Sequence, residues 1–152
     1  QGLLSRQRRH TFRFVSFTGE EKGLLGSRAY VRDMEKSREP VVAMVNLDTL
    51  GLAETEVWAS HADPKMVDLI QRTAGVTKLP LSAVNVEQVG STDSEPFREK
   101  KVPVITIHSL TQATLPLLHT SKDRIEAIHK DEYYRSYRLV LAYLAVIDQM
   151  FD

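Results

Sequence analysis

Two adjacent carboxylates, Glu20 and Glu21, follow an apolar, strand-like run that ends at Phe17. Like charges side by side repel each other unless a cation or a shared proton lies between them. A divalent metal would supply the cation, with one glutamate as a ligand while the other accepts a proton from water. The alternative is that both are solvated charges at a helix start, where the helix dipole favours them.

Asp48 and His119 are further candidate metal ligands. The chain contains no cysteine, so a zinc site would have to use imidazole nitrogen and carboxylate oxygen. Asp48 follows the apolar strand end Val45-Asn46-Leu47, although it could also serve an Asx-turn assisted by Gly51.

Four segments resemble, in the same order, motifs of the zinc-dependent aminopeptidase family that includes the transferrin-receptor ectodomain and the glutaminyl cyclases (metallopeptidase family 28). They are Phe14 to Ser27, Asn46 to Gly51, Ser91 to Phe97 and His119 to Asp123. The resemblance covers most of the chain. It implies an α/β fold of the zinc-exopeptidase type, with a mostly parallel, mixed sheet flanked by helices. It also implies metal-dependent hydrolysis of peptide bonds at a free amino terminus.

The same resemblance implies a role for each matched residue. Glu21 and His119 would hold one zinc ion, Asp48 would hold a second, and Glu20 would be the general base. Asp93 and Ser94 would lie on the substrate side, where the family usually has histidine or tyrosine after the aspartate. A hydroxyl at Ser94 is a weaker oxyanion donor, and losing such a donor can cost about 2.7–4 kcal/mol. We therefore expect either that another group or the metal stabilises the oxyanion, or that the enzyme is slower or differently specific.

Two ligand motifs of the family lie upstream of its Glu-Glu strand, a His-x-Asp segment and a bridging aspartate, and neither is present here. We expect residues 1–152 to be one α/β peptidase domain truncated at its N-terminus, with part of a two-zinc site and no activity in isolation. The alternatives are a glutaminyl cyclase with a single zinc, or a non-catalytic domain of the transferrin-receptor kind.

The remaining histidines have simpler interpretations, with one reserve ligand among them. His61 and Asp63 imitate a His-x-Asp motif, but Asp63 is better placed to cap a helix opened by Pro64. His108 ends a predicted strand near the site and is the reserve candidate. Thr120 or Ser121, with Asp123, is expected to cap the turn after His119.

Composition limits the partners. Twenty basic and twenty acidic residues balance, so no electrostatic feature favours a nucleic acid or a membrane. The basic run from Arg6 to His10 is interpreted as a solvated connection, and the longest apolar stretch, Leu139 to Ile147, is too short to span a bilayer. The expected partner is a peptide substrate. The oligomeric state is left open, and family resemblance suggests export to the periplasm or outside the cell.

Strands alternate with helices along the chain, which predicts an α/β sheet. The predicted strands are Thr11–Phe17, Val41–Leu47, Glu54–Ala59, Ala83–Val89 and Val102–His108, and the predicted helices are Leu24–Glu35, Pro64–Thr73, Glu95–Lys100 and Lys130–Met150. Open α/β sheets place their sites at the carboxyl ends of strands. Glu20, Glu21 and Asp48 all follow strand ends, so we expect them to converge with His119 at one edge of the sheet.

Overall fold

The computed structural model describes residues 7–38, 40–85 and 90–151. Its helices are α1 (Leu25–Ser37), α2 (Pro64–Thr77), α3 (Glu95–Glu99) and α4 (Lys130–Ile147), and its strands are β1 (Met44–Leu47), β2 (Glu56–Trp58), β3 (Ser82–Val84) and β4 (Val104–His108). Short 3-10 turns cover Glu20–Lys22, Ala59–His61, Leu115–Leu117 and Ile125–Ala127. None of the helices in these ranges is long and apolar enough to cross a membrane.

The four strands form one mixed sheet in the order β1-β4-β2-β3. β1 pairs with β4 and β2 with β3 in parallel, whereas β2 and β4 are antiparallel. This confirms the predicted α/β class.

All five residues of β4 are buried, as expected for a strand with neighbours on both sides. Ile105 and Ile107 pack into a core with α2 and α4, whereas Val104 packs into a second core with Val31 and Phe97 of α1 and α3. Because side chains alternate along a strand, Thr106 and His108 share the face of Val104. A cleft that Thr106 and His108 line lies on this face of the sheet.

Helix α2 begins as its sequence predicts. The Asp63 carboxylate accepts hydrogen bonds from the backbone N–H groups of Lys65 (2.9 Å) and Met66 (3.3 Å). Pro64 occupies the first turn, where a missing N–H removes no intrahelical bond. The capping interpretation of Asp63 is therefore confirmed, and His61 stacks on Trp58 with ring centroids 4.7 Å apart.

The predicted strand Thr11–Phe17 is wrong, because residues 11–17 form no helix or strand and pair with none of the described strands. Strand structure needs hydrogen bonds to a partner, which an apolar sequence alone does not provide. The segment is held instead by side chains: Phe12 packs on the α2–α4 core and Phe17 on the second core, while Phe14 is 79% exposed. Just before it, the N–H of His10 donates to the Asp148 carboxylate (2.9 Å).

The eight other predicted elements are present, with shifted ends. The last four residues of the predicted strand Ala83–Val89, residues 86–89, lie outside the described residues. From the sequence, the buried stripe of α4 is predicted to comprise Tyr133, Tyr137, Val140, Leu141, Leu144 and Ile147. This prediction is wrong at its start, because Tyr133 and Tyr137 are about half exposed. The buried face runs instead through the residues Ser136, Leu139, Val140, Tyr143 and Ile147. This face includes Ser136, whose hydroxyl is hydrogen-bonded to the Thr55 hydroxyl (2.8 Å). A search for apolar residues alone does not find a buried serine.

Candidate active site

The Glu20–Glu21 pair lies on a 3-10 turn between two glycines. Gly19 and Gly23 have φ values of 69° and 91°, which glycine adopts without the steric cost of a side chain. The amide of Leu24 donates to the carbonyl of Glu20 (2.9 Å) and closes the turn. The two carboxylates are therefore presented by a tight backbone loop rather than by a strand.

Gly26 fixes this loop against the start of α1. Its N–H donates to the Thr18 carbonyl (2.9 Å), and a Cβ at this position would lie 2.8 Å from both the backbone N and O of Thr18. No side chain fits at that distance without a backbone shift. Gly26 is thus required for the close approach that positions the glutamate turn.

The sheet and a following loop supply the other two predicted ligands. Asp48 follows β1, and its N–H donates to the Ile107 carbonyl of β4 (3.0 Å), while its carboxylate accepts from the Thr49 hydroxyl (2.8 Å). His119 lies in the loop before α4 with φ 62°, and its N–H donates to the Asp123 carboxylate (3.1 Å). The Asp123 carboxylate therefore satisfies the backbone N–H of His119. In the same loop, the Thr120 hydroxyl accepts a hydrogen bond from the Lys122 N–H (3.1 Å).

Glu20, Glu21, Asp48 and His119 line one cleft of about 1150 Å³. The His119 Nε2 and a Glu21 carboxylate oxygen are 3.3 Å apart, although about two thirds of each side chain is exposed. The structure thus places the four residues along one cleft beyond the carboxyl ends of β1 and β4, with Glu20 and Glu21 carried there by the 3-10 turn and not by the end of a strand.

Electrostatics in this cleft are dominated by carboxylates. The pKa of Glu20 is raised to about 7. The causes, largest first, are partial burial, repulsion from the Glu21 carboxylate and a hydrogen bond to that group, with smaller contributions from Asp48 and Asp93. A cation beside these groups would oppose the shift, because it favours the ionised form.

Asp93 and Ser94 lie away from the cleft lining. Ser94 is 4% exposed, and its hydroxyl bonds those of Thr92 (2.8 Å) and Thr106 (3.1 Å). One carboxylate oxygen of Asp93 is buried and has no hydrogen-bond partner among the described residues. Unsatisfied buried oxygens are uncommon in proteins, so this atom marks the loop as a place where a further group is expected.

The described residues supply part of a zinc site. Glu21 and His119 offer an oxygen and a nitrogen donor in contact, which suits zinc, but within ranges 7–38, 40–85 and 90–151 no three acidic or histidine side chains are gathered closely enough to hold a metal. The residues present therefore fit one edge of a zinc site and not a complete coordination shell.

Sequence reasoning did not single out Glu56 and Trp58, which line the same cleft. Both lie on β2, and only the pairing of β2 with β4 brings them beside His108. The reserve ligand His108 also lines the cleft, but its Nδ1 accepts a hydrogen bond from the Leu110 N–H (3.2 Å).

Comparison with known proteins identifies the family. The model of Peptidase family M28 matches residues 3–144, and the chain belongs to this family. Aminopeptidase YwaD of Bacillus subtilis is 32% identical over 139 residues, which are 86% of this chain and 30% of YwaD. The chain thus spans under a third of that relative.

Solved structures agree on the fold. BSAP, a zinc aminopeptidase from Bacillus subtilis, matches with a TM-score of 0.72 and 27% identity over 85% of this chain and 34% of BSAP. The Legionella pneumophila LapA aminopeptidase has a TM-score of 0.76 at 23% identity over 93% of this chain and 40% of LapA. A glutaminyl cyclase from an Acidobacteriales bacterium (TM-score 0.69, 20% identity, 84% of this chain and 46% of the cyclase) is similar in fold alone.

We predict opposite effects of two glycine-to-alanine substitutions. Gly26→Ala should lower the free energy of unfolding by about 1–3 kcal/mol, because its Cβ meets the Thr18 backbone. Gly75→Ala in α2, where a Cβ has nothing within 4 Å, should raise it by roughly 0.5–1 kcal/mol. Urea unfolding of both variants checks this, and a Gly26→Ala protein as stable as wild type would contradict the packing argument.

We also predict that residues 1–152 alone bind zinc weakly or not at all. Catalytic zinc typically has three protein ligands, whereas Glu21 and His119 supply two. Calorimetric titration with zinc should show no tight site. Tight binding that disappears in His119→Ala, but persists in the control His129→Ala, would show that the described residues hold the metal by themselves.

Proposed function

We propose that the native polypeptide containing this chain is a zinc aminopeptidase, which hydrolyses the peptide bond next to a free amino terminus. The single observation that carries the proposal is the convergence of Glu20, Glu21, Asp48 and His119 on one cleft in a member of Peptidase family M28. The names of YwaD and BSAP as aminopeptidases support the same activity.

In this proposal Glu21, Asp48 and His119 hold the metal, with Glu21 and His119 on one zinc ion and Asp48 on a second. Zinc, when bound, polarises a carbonyl and lowers the pKa of water toward ~7. The position of Asp48 is set by its backbone bond to β4 and by the Thr49 hydroxyl, so its carboxylate is oriented before any ion binds.

Glu20 is the proposed general base. Glu20 is adjacent to Glu21 on a turn that backbone hydrogen bonds close. Its carboxylate therefore lies beside the proposed ligand Glu21 and is free to accept a proton instead of binding the metal. It would accept the proton of the attacking water at a carboxylate oxygen and return it to the nitrogen of the leaving amine. Asp93 and Ser94 are still proposed to lie on the substrate side. They do not line the cleft themselves, but their loop also carries Thr92, which does.

A non-catalytic role of the transferrin-receptor kind is less well supported, because the proposed base and all three proposed ligands are present and line the cleft. A glutaminyl cyclase would release ammonia and leave a cyclised amino terminus on the peptide, whereas an aminopeptidase releases a free amino acid. Product analysis by mass spectrometry therefore separates the two reactions.

We predict that Glu20→Gln in the full-length native polypeptide lowers turnover of an aminoacyl anilide by roughly 10²–10⁴-fold, because the amide cannot accept a proton. Zinc content, measured by elemental analysis, should stay close to that of wild type. Glu54→Gln is the matched control, since Glu54 is exposed and does not line the cleft. Full activity of Glu20→Gln would show that another group is the base.

A further inference from the structure

The cleft contains a second acidic position that the proposed chemistry does not use. Glu56 of β2 lies opposite His108 of β4 in the antiparallel pair, and both line the cleft. The Glu56 side chain is 18% exposed. The cleft lining also includes the apolar side chains of Leu52, Trp58 and Val84. The register of β2 and β3 pairs Trp58 with Val84, two residues along β2 from Glu56.

His108 does not neutralise Glu56. The Leu110 N–H donates to Nδ1 of His108, so this nitrogen carries no proton, and burial lowers the pKa of the imidazole although Asp48 raises it in part. The same Nδ1 is the atom nearest to Glu56, at 3.9 Å, and it has no hydrogen to donate. The two side chains are therefore neighbours without an ion pair.

Within the described residues, no lysine or arginine lies within ion-pair distance of Glu56. Burial raises the pKa of Glu56, as expected for a carboxylate without a compensating cation. A buried charge is costly unless it is paired, so Glu56 is a position where a bound cation would be stabilised.

We propose that Glu56 binds the charged end of a basic side chain, such as lysine, on the first residue of a peptide substrate. This inference rests on the aminopeptidase function proposed above, and it names the class of substrate that the cleft would prefer.

The sheet register favours a side chain over the α-amino group of the substrate. Leu47 pairs with Ile107, so Asp48, His108 and Glu56 form one row across β1, β4 and β2. With strands ~4.7–4.9 Å apart, Glu56 lies about 10 Å across the sheet from Asp48. The α-amino group is bonded to the carbon that carries the scissile carbonyl, so it stays near Glu20 and Asp48.

A lysine side chain is suited to bridge this gap. Its four-carbon stem can extend along the apolar wall of Leu52, Trp58 and Val84 while its ammonium group reaches the carboxylate. A neutral side chain of the same length would make the same apolar contacts but leave Glu56 unpaired. The expected preference therefore comes from charge and not from shape.

The test compares two amino acid amides on the isotope-labelled chain, without added metal. L-lysinamide and L-norleucinamide share the α-amino group and the length of the carbon stem, and differ in the side-chain ammonium. Amide chemical shifts measured by NMR should report lysinamide binding around Glu56 and Trp58, about tenfold tighter than norleucinamide or more. Equal binding of the two amides, or no lysinamide binding at millimolar concentration, would overturn the proposal without any variant.

Variants then assign the preference to Glu56. Glu56→Gln keeps the shape and removes the charge, so the two amides should bind equally, whereas the exposed control Glu54→Gln should keep the wild-type ratio. A ratio unchanged in folded Glu56→Gln overturns the assignment. Equal weakening of both amides would place the α-amino group at Glu56 and also overturn it. Because binding is measured without hydrolysis, a failure of the peptidase proposal would leave this preference intact, and the two failures are distinguishable.

Discussion

The hydrogen-bonded ladder around β4 determines where the sheet-borne groups of the cleft lie. β4 is buried along its whole length and pairs with β1 on one side and β2 on the other. That pairing sets Asp48, His108 and Glu56 at one level of the sheet. A slip of one residue would move Thr106 and His108 into the apolar core and bring Ile105 and Ile107 to the cleft, so the burial of the isoleucines also fixes the polar groups.

The ladder separates two kinds of acidic position. On the β1 side, the glutamate turn and Asp48 concentrate carboxylates, and the pKa of Glu20 is raised first by partial burial and then by repulsion from Glu21. On the β2 side, Glu56 is a single carboxylate in apolar surroundings. His108 lies between them, and none of the ion pairs among the described residues joins a lysine or arginine to Glu20, Glu21, Asp48 or Glu56, so both sides of the cleft are suited to positive partners.

How much could be predicted from sequence depends on how local the determining contacts are. The α2 start at Asp63-Pro64 is decided within four residues, and its prediction was confirmed. The lining of one cleft by Glu20, Glu21, Asp48 and His119 agrees with their motif order and, for Asp48, with its place after β1, whereas the strand predicted before Glu20 is absent. Thr11–Phe17 failed because a strand needs a partner elsewhere in the chain, and Glu56 was missed because its neighbour depends on a register between distant segments.

Ser94 differs from the histidine or tyrosine that the family usually has at this position, and its hydroxyl stabilises the local fold. Its hydroxyl joins Thr92 and Thr106, so it ties the loop carrying Asp93 to the strand that carries His108. A hydroxyl that already shares hydrogen bonds with two neighbours is less available as a donor to a developing oxyanion. An imidazole or phenol could not make these two short bonds from the same buried position. The hydrogen bonds of Ser94 thus hold its loop against β4, next to Thr92 and Thr106, which both line the cleft.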